Sequence, residues 1–251
     1  MRTILITGAS GGLAQEIISL LKDDFLILLG RDREKLETLY AKHAKKLISD
    51  IDIRDENALS HFLDQVDKKH GPIDILVNNA GYARYDDFEQ FSSQEVKDMF
   101  DINLFAMMTL CRLVGKRMKQ SQSGHIINIV SMSGFIASAK SSVYSATKFA
   151  AIGFSNTIRL ELAPYHVTVT TVNPGPIATP FFDLADPDGS YQKSVQAFML
   201  QPDFVARKIV KAMGTKKREV NLPRILSIAR IWYALFPRLS DYLAATIFHF
   251  K

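Results

Sequence analysis

Thr3-Ile4-Leu5-Ile6-Thr7-Gly8-Ala9-Ser10-Gly11-Gly12-Leu13-Ala14 is the stretch on which the fold turns. Its first five residues, Thr3–Thr7, read as a strand, with an apolar core and no polar alternation. Such runs suit parallel strands covered on both faces. A glycine turn follows at once, and a helical pattern, Leu13 to Leu21, follows the turn. Glycines there let the backbone bend sharply and come close to a pyrophosphate. The helix behind them offers unpaired N–H groups and the positive end of its dipole. A glycine turn is weak evidence in isolation; its place between a first strand and a first helix strengthens it.

Working outward, the same alternation repeats. Strands are expected at Phe25–Leu29, Leu47–Ile51, Ile73–Val77, His125–Val130 and Val167–Val172, with a weaker one near Glu219–Leu222. Between them lie helical patterns from Arg33 to His43, Glu56 to Lys69, Ser92 to Met118, Tyr144 to Leu162, and from Pro202 to a stop at Gly214. Asp55 is placed to cap the second of these, and Ser92-Ser93-Gln94-Glu95 has the spacing of a capping box. Strand, helix, strand repeated this way implies right-handed crossovers and an α/β fold, a doubly wound parallel sheet of about seven strands with helices on both faces. Ligands bind such sheets beyond the carboxyl ends of the strands.

The 251 residues suit one domain over 1–251 better than two small ones. The net charge of +5 is spread along the chain, and its one tight cluster, Lys216-Lys217-Arg218, reads as solvated surface. A nucleic-acid partner is not expected, because such binders gather basic charge on one face. The single cysteine, Cys111, lies in an apolar-periodic stretch and reads as a small core residue rather than a reactive thiol. Its solitude fits a reducing, cytoplasmic setting. The histidines show no metal-ligand spacing. Neither a signal peptide nor a run of about 18 apolar residues long enough to cross a membrane is expected.

The chemistry concentrates between Ser131 and Lys148. Tyr144 and Lys148 stand four residues apart, on one helix face. A nearby ammonium favours the phenolate and is expected to lower the phenol's pKa toward working pH, which suits a proton donor and acceptor. Lys148 is also long enough to reach ribose hydroxyls. Alone, such a pair would read as surface. Ser131, thirteen residues before Tyr144 and just past a strand, changes that reading, because its hydroxyl can steady charge developing on a substrate oxygen.

These motifs resemble the short-chain dehydrogenase/reductase family, over roughly residues 1 to 180, in order and spacing. In the Rossmann-like turn Thr7, Gly8, Gly12 and Leu13 match, while Ala14 stands where a last glycine is usual; an added methyl leaves cofactor binding expected. Ser10 lies within the same turn. The resemblance implies that Asp52-Ile53 border the adenine and that Asn78-Asn79-Ala80-Gly81 form the family's Asn-Asn-Ala-Gly signature beside the cofactor. It points to Ser131 over the nearby Ser133 as the catalytic serine. It makes Asn103 the asparagine holding a water that links the lysine to bulk solvent. It has Pro174 and Gly175 border the nicotinamide, Ile177 hold the carboxamide through its backbone, and Thr179 reach the phosphates. It also implies a homodimer or homotetramer contact through the helices containing Asn103 and Tyr144.

The second strand ends in Leu29-Gly30-Arg31 rather than in an acidic residue. An acid there would accept from the adenosine ribose hydroxyls and favour NAD. Arg31 can instead pair with a 2′-phosphate, so NADP(H) is expected, with NAD(H) the alternative. The implied function is hydride transfer between this cofactor and a carbonyl or alcohol. A non-catalytic dinucleotide-binding sensor or scaffold is the competing class, although both Tyr144 and Lys148 are present. An epimerase or dehydratase would need a larger substrate region.

The loop Thr179–Leu200 is long enough to be a lid, expected over 179–203. Phe181, Phe182, Leu184, Phe198 and Met199 suggest an apolar pocket and a hydrophobic substrate. From Pro223 an amphipathic tail continues over 223–251, with Trp232 and Phe236 before Pro237 and with Tyr242, Leu243, Ile247, Phe248 and Phe250 after it. Packing within an oligomer or against the lid is the plainest use for it. Peripheral membrane contact and a cover over the site are the others.

Overall fold

The structure, a computed structural model, describes residues 1–187 and 189–247; Phe248 and Phe250 of the tail lie outside them. Seven strands form one sheet in which every pairing is parallel. They are β1 (Thr3–Thr7), β2 (Phe25–Leu29), β3 (Lys46–Ser49), β4 (Ile75–Asn78), β5 (Gly124–Ile129), β6 (Val167–Pro174) and β7 (Glu219–Leu222). Their order across the sheet is β3-β2-β1-β4-β5-β6-β7. The chain therefore winds one way from β1 to β3 and the other way from β4 onward. The order reverses between β1 and β4, where a doubly wound sheet opens a crevice.

The helices are α1 (Gly12–Ser19), α2 (Arg33–Leu39), α3 (Glu56–His70), α4 (Ser93–Phe100), α5 (Ala106–Ser121), α6 (Ser142–Leu162), α7 (Phe181–Ala185), α8 (Ser190–Val195), α9 (Pro202–Ala212), α10 (Arg224–Leu235) and α11 (Pro237–Ile247). Alternation along each strand sorts them into two layers. Ile4 and Ile6 of β1 and Leu26 and Leu28 of β2 pack with α1, α2 and α9. Leu5, Ile27 and Leu76 point the other way and pack with α3, α5 and α6. Each such fully buried aliphatic side chain contributes about 1.5–3 kcal/mol relative to exposure. That explains the unbroken apolar runs: both faces of the sheet are interior. Cys111 belongs to the second layer and is buried.

Side-chain caps set the starts of α2, α3 and α4. Asp32 accepts from Lys35 N at 2.9 Å and Asp55 from Ala58 N at 2.9 Å. At α4, Ser92 and Glu95 form the expected capping box.

Three expectations need correction. The strand and helix limits move by one to a few residues, most in the second helix, which ends at Leu39 rather than His43. The single helix expected from Ser92 to Met118 is interrupted by a π-helical turn at Asp101–Phe105. Buried Met99, Asn103, Met107 and Leu110 keep spacings of three or four residues across it, so the periodicity hides it. The segment Thr179–Leu200, expected as a long loop, folds into α7, α8 and a 3₁₀ turn at Gln196–Phe198.

Candidate active site

At the carboxyl ends of the central strands lies a cleft of about 1650 Å³, larger than a pocket for one small ligand needs. Its wall begins with the glycine turn. Gly8 has φ +63°, and a Cβ there would stand 2.8 Å from Ala80 Cα, so only glycine fits against the turn after β4. A Cβ on Gly12 would come within 3.0 Å of Thr179 Cγ2. No side chain caps the start of α1 at Gly11, so its first N–H groups are left to whatever occupies the cleft. Ser10 and Leu13 line the same wall.

Thr7, expected to contact a cofactor, is placed behind the wall. It is buried, and its Oγ1 accepts from Asn79 N and Ala80 N, both at 3.0 Å. Asn79 Nδ2 returns bonds to Thr7 O and Gly8 O at 3.1 and 3.2 Å, while the residue itself lines the cleft with Ala80 and Gly81. Asn78 is likewise internal and donates to Asn128 Oδ1 at 2.8 Å. Thr7 and Asn79 thus lock the turns after β1 and β4 together.

At the far end of the cleft, Arg31 is exposed on the wall next to Asp52 and Ile53. Two basic residues that the sequence reading missed join them. Lys35, one helical turn beyond Arg31, also lines the cleft. Arg54 grips Asp52 through Nε at 3.0 Å and Nη2 at 2.5 Å, and this hydrogen bonding holds the Asp52 carboxyl below its ordinary pKa. The spacing of both from the recognised residues was visible; nothing in it said which way they point.

On the floor stand Ser131, Tyr144 and Lys148, all cleft-lining and all buried. Ser131 caps a 3₁₀ turn at Met132–Gly134 by accepting from Ser133 N at 3.0 Å. Ser133, the nearby alternative, lines the same cleft. A Cβ on Gly134 would meet Lys148 O at 2.8 Å, so the turn lies directly against α6. Tyr144 and Lys148 leave α6 one turn apart. Lys148 Nζ donates to Ile129 O at 3.4 Å and stands 5.5 Å from the centroid of the Tyr144 ring. Burial dominates both groups. It lowers the Lys148 ammonium to about 8 and pushes the Tyr144 phenol above its ordinary value, against an opposing interaction with the Ser131 hydroxyl. The expected lowering of the phenol by its neighbouring amine is therefore overridden by desolvation.

Asn103 lies in the π turn, buried, behind the wall. Its Oδ1 accepts from Tyr82 N at 2.9 Å and its Nδ2 donates to Tyr82 O at 2.8 Å and to Thr147 Oγ1 at 3.3 Å. It ties the loop after β4 to α6, one residue from Lys148. Past β6, Pro174, Gly175, Ile177 and Thr179 line the cleft. They are braced by a bridge between Ile177 and Leu200.

The substrate end is aromatic. Tyr85 stacks on Tyr191 of α8 at 3.9 Å and 8°, and meets the Tyr144 ring edge-on at 5.9 Å. Phe181 stands 6.3 Å from the Tyr144 ring. Asp186 ties the end of α7 to the start of α8 by accepting from Tyr191 N and Gln192 N at 3.2 and 2.7 Å. Tyr85 and Tyr191 were missed from the sequence because only tertiary structure pairs them. Trp232 and Tyr233 of the tail also line the cleft, so part of the tail is one of its walls.

Residues 2–188 match the short chain dehydrogenase family. Over 225 residues the chain is 32% identical to the ketoacyl reductase HetN of Nostoc sp., covering 87% of this chain and 77% of that protein. It is 32% identical over 180 residues to the 3-ketodihydrosphingosine reductase of Bacteroides thetaiotaomicron, covering 72% of this chain and 65% of that protein. Among solved structures, ElxO with NADP bound superposes with a TM-score of 0.78 at 23% identity, over 88% of this chain and 97% of that one.

Proposed function

The chain belongs to the short-chain dehydrogenase family, and on that footing we propose that it moves a hydride between NADP(H) and a ketone or secondary alcohol, with Tyr144 giving and taking the proton. The observation that carries this reading is the convergence of Ser131, Tyr144 and Lys148 on the cleft floor, between the glycine wall and the aromatic pocket.

The residues present fit a dinucleotide. Gly8 and Gly12 keep the wall free of side chains, and the uncapped start of α1 suits a pyrophosphate near Ser10 and Leu13. Asp52 and Ile53 would border the adenine. Asn79, Ala80, Gly81, Pro174, Gly175, Ile177 and Thr179 would flank the nicotinamide end. Three features favour NADP(H) over NAD(H): Gly30 in place of an acid, the exposed Arg31 and Lys35, and the engagement of Asp52 by Arg54. ElxO, which shares the fold, was solved with NADP.

A nicotinamide held in this cleft would supply or accept the hydride. The chain supplies position and a proton. Ser131 Oγ, fixed by Ser133 N, donates to the substrate oxygen. Burial keeps Tyr144 protonated at rest, the form that a carbonyl reductase needs. The charge left on the phenol after proton transfer is steadied by the Lys148 ammonium one turn away. Asn103 is a positioning residue that holds the Tyr82 backbone and α6 in register.

The aromatic walls favour a ketone on a hydrocarbon chain, and the names of two relatives, a ketoacyl reductase and a ketodihydrosphingosine reductase, support that class. Exposed Phe149 and Leu160 on α6 support pairing of that helix with a second copy. The reading is tested by following NADPH consumption with soluble and long-chain ketones. Tyr144→Phe is expected to cut kcat by about 10²–10⁴-fold with NADPH affinity little changed. Full turnover in that variant, or none in the parent in either direction, would overturn the assignment; a sensor would bind NADPH and turn nothing over.

A further inference from the structure

We propose that the outer face of α10 and α11 docks on an anionic phospholipid bilayer, which passes an apolar carbonyl substrate directly into the cleft. This rests on the reductase reading above for the chemistry of the substrate, and on separate observations for the docking.

Helix α10 is apolar on two stripes. Ile225, Ala229 and Trp232, spaced i, i+4, i+7, line the cleft. Ile228, Ile231 and Leu235 form a second stripe that does not line it, and they are 55%, 56% and 67% exposed. A helix apolar on nearly every side suits an apolar medium, and water is a poor neighbour for it. The two stripes are also continuous. Ile225 and Trp232 are themselves more than half exposed, so the apolar wall of the site runs out onto the surface. Exposure continues through Leu239 and Tyr242 of α11.

The orientation of α10 is set from within. Arg230 turns inward, bonding Glu219 of β7 at 2.8 Å and lying over the Phe135 ring at 4.2 Å. The remaining cations of the segment, Arg224 and Arg238, are exposed. Arg224 stands four residues before Ile228, on the outer stripe. Between residues 224 and 242 these two outward arginines face one carboxylate, Asp241. That balance favours anionic headgroups over neutral ones. Among the described residues no helix is long and apolar enough to cross a membrane, so the contact is one of surface burial. A protein partner seated on this face would plug the mouth of the cleft. A bilayer seals it against water and leaves a path for a hydrocarbon chain.

The experiment is flotation of the full chain with phosphatidylcholine vesicles, with and without phosphatidylserine. The parent is expected to float with the mixed vesicles and to be released by salt. Combining Ile228→Glu, Ile231→Glu and Leu235→Glu should weaken partitioning at least about tenfold. Turnover of a water-soluble ketone should be unchanged, because none of the three lines the cleft. Arg224→Gln should weaken binding to mixed vesicles about fivefold and leave binding to pure phosphatidylcholine unmoved. Docking is overturned if the parent stays unbound with both vesicle types, or if the triple variant floats like the parent. It is equally overturned if the triple substitution changes the oligomeric mass by light scattering while flotation stays the same, which would assign the face to a second copy. Flotation needs no catalysis and soluble-ketone turnover needs no vesicles, so failure of docking and failure of the reductase reading are separable.

Discussion

Tyr144 carries a proton that burial makes hard to lose, beside a lysine that burial makes easy to discharge. The sign of the pH dependence follows. Lys148 is lowered from its ordinary value to about 8, and in the proposed reaction its ammonium form is the one that steadies the phenolate. Reduction should therefore be fastest below about pH 8 and fall by up to tenfold per pH unit above it. Lys148→Met should be slow throughout and lack that alkaline limb in a kcat profile; an unchanged limb would detach it from Lys148. Arg31 makes a second prediction of this size. If it pairs with a 2′-phosphate, Arg31→Ala should raise KM for NADPH by about 10–100-fold and barely move KM for NADH, since one charge-assisted bond is worth about 1.5–3 kcal/mol. Equal changes for both cofactors would remove Arg31 from the phosphate. The sequence made Ser131, Tyr144, Lys148 and Arg31 legible because each lies beside a recognisable strand end or helix. It was silent on Tyr85 and Tyr191, whose stacking depends on two distant segments meeting. It also misjudged the phenol, because spacing reports a neighbouring charge and says nothing of how much water both groups have lost.

Among the elements, the first turn bears the most constraint. Gly8→Ala would place a methyl 2.8 Å from backbone at a φ of +63°, where L side chains are strained. A cost of about 1–3 kcal/mol in stability is expected, seen as a lowered Tm, together with weakened NADPH binding in titration. Gly153, whose Cβ would meet nothing within 4 Å, is the control: Gly153→Ala should leave Tm unchanged or raise it. Parity between the two variants would deny the turn its special role. The elements were legible wherever hydrophobic spacing was strong, as in β1, α3 and α6. The π turn at Asp101–Phe105 was not, since the buried positions on both sides of it keep ordinary spacings of three or four residues. Nor were α7 and α8, which are too short to show a period and are held by Asp186 and aromatic contacts rather than by their own propensity.

For the whole molecule, the alternation of strands and helices sufficed to foresee the layered architecture, because apolar strands separated by helix-length segments favour parallel pairing through right-handed crossovers. It could not foresee that the tail would wall the site, since an apolar helix reads the same whether it faces a cleft, a partner or a lipid. One internal detail bears on how the molecule can be watched. Cys111, the chain's single cysteine, is buried between Asn78 and Asn128, and desolvation pushes its thiol up to about 12. Alkylation needs a thiolate that the reagent can reach. Maleimide should consequently ignore the native protein and label it only through opening events, so the labelling rate becomes a clock for unfolding read by mass spectrometry. Saturating NADPH at a hundred times its Kd should slow that clock by about a hundredfold, the equivalent of about 2.7 kcal/mol. Rapid labelling of the folded chain would mean that the layer around Cys111 breathes far more than its packing implies.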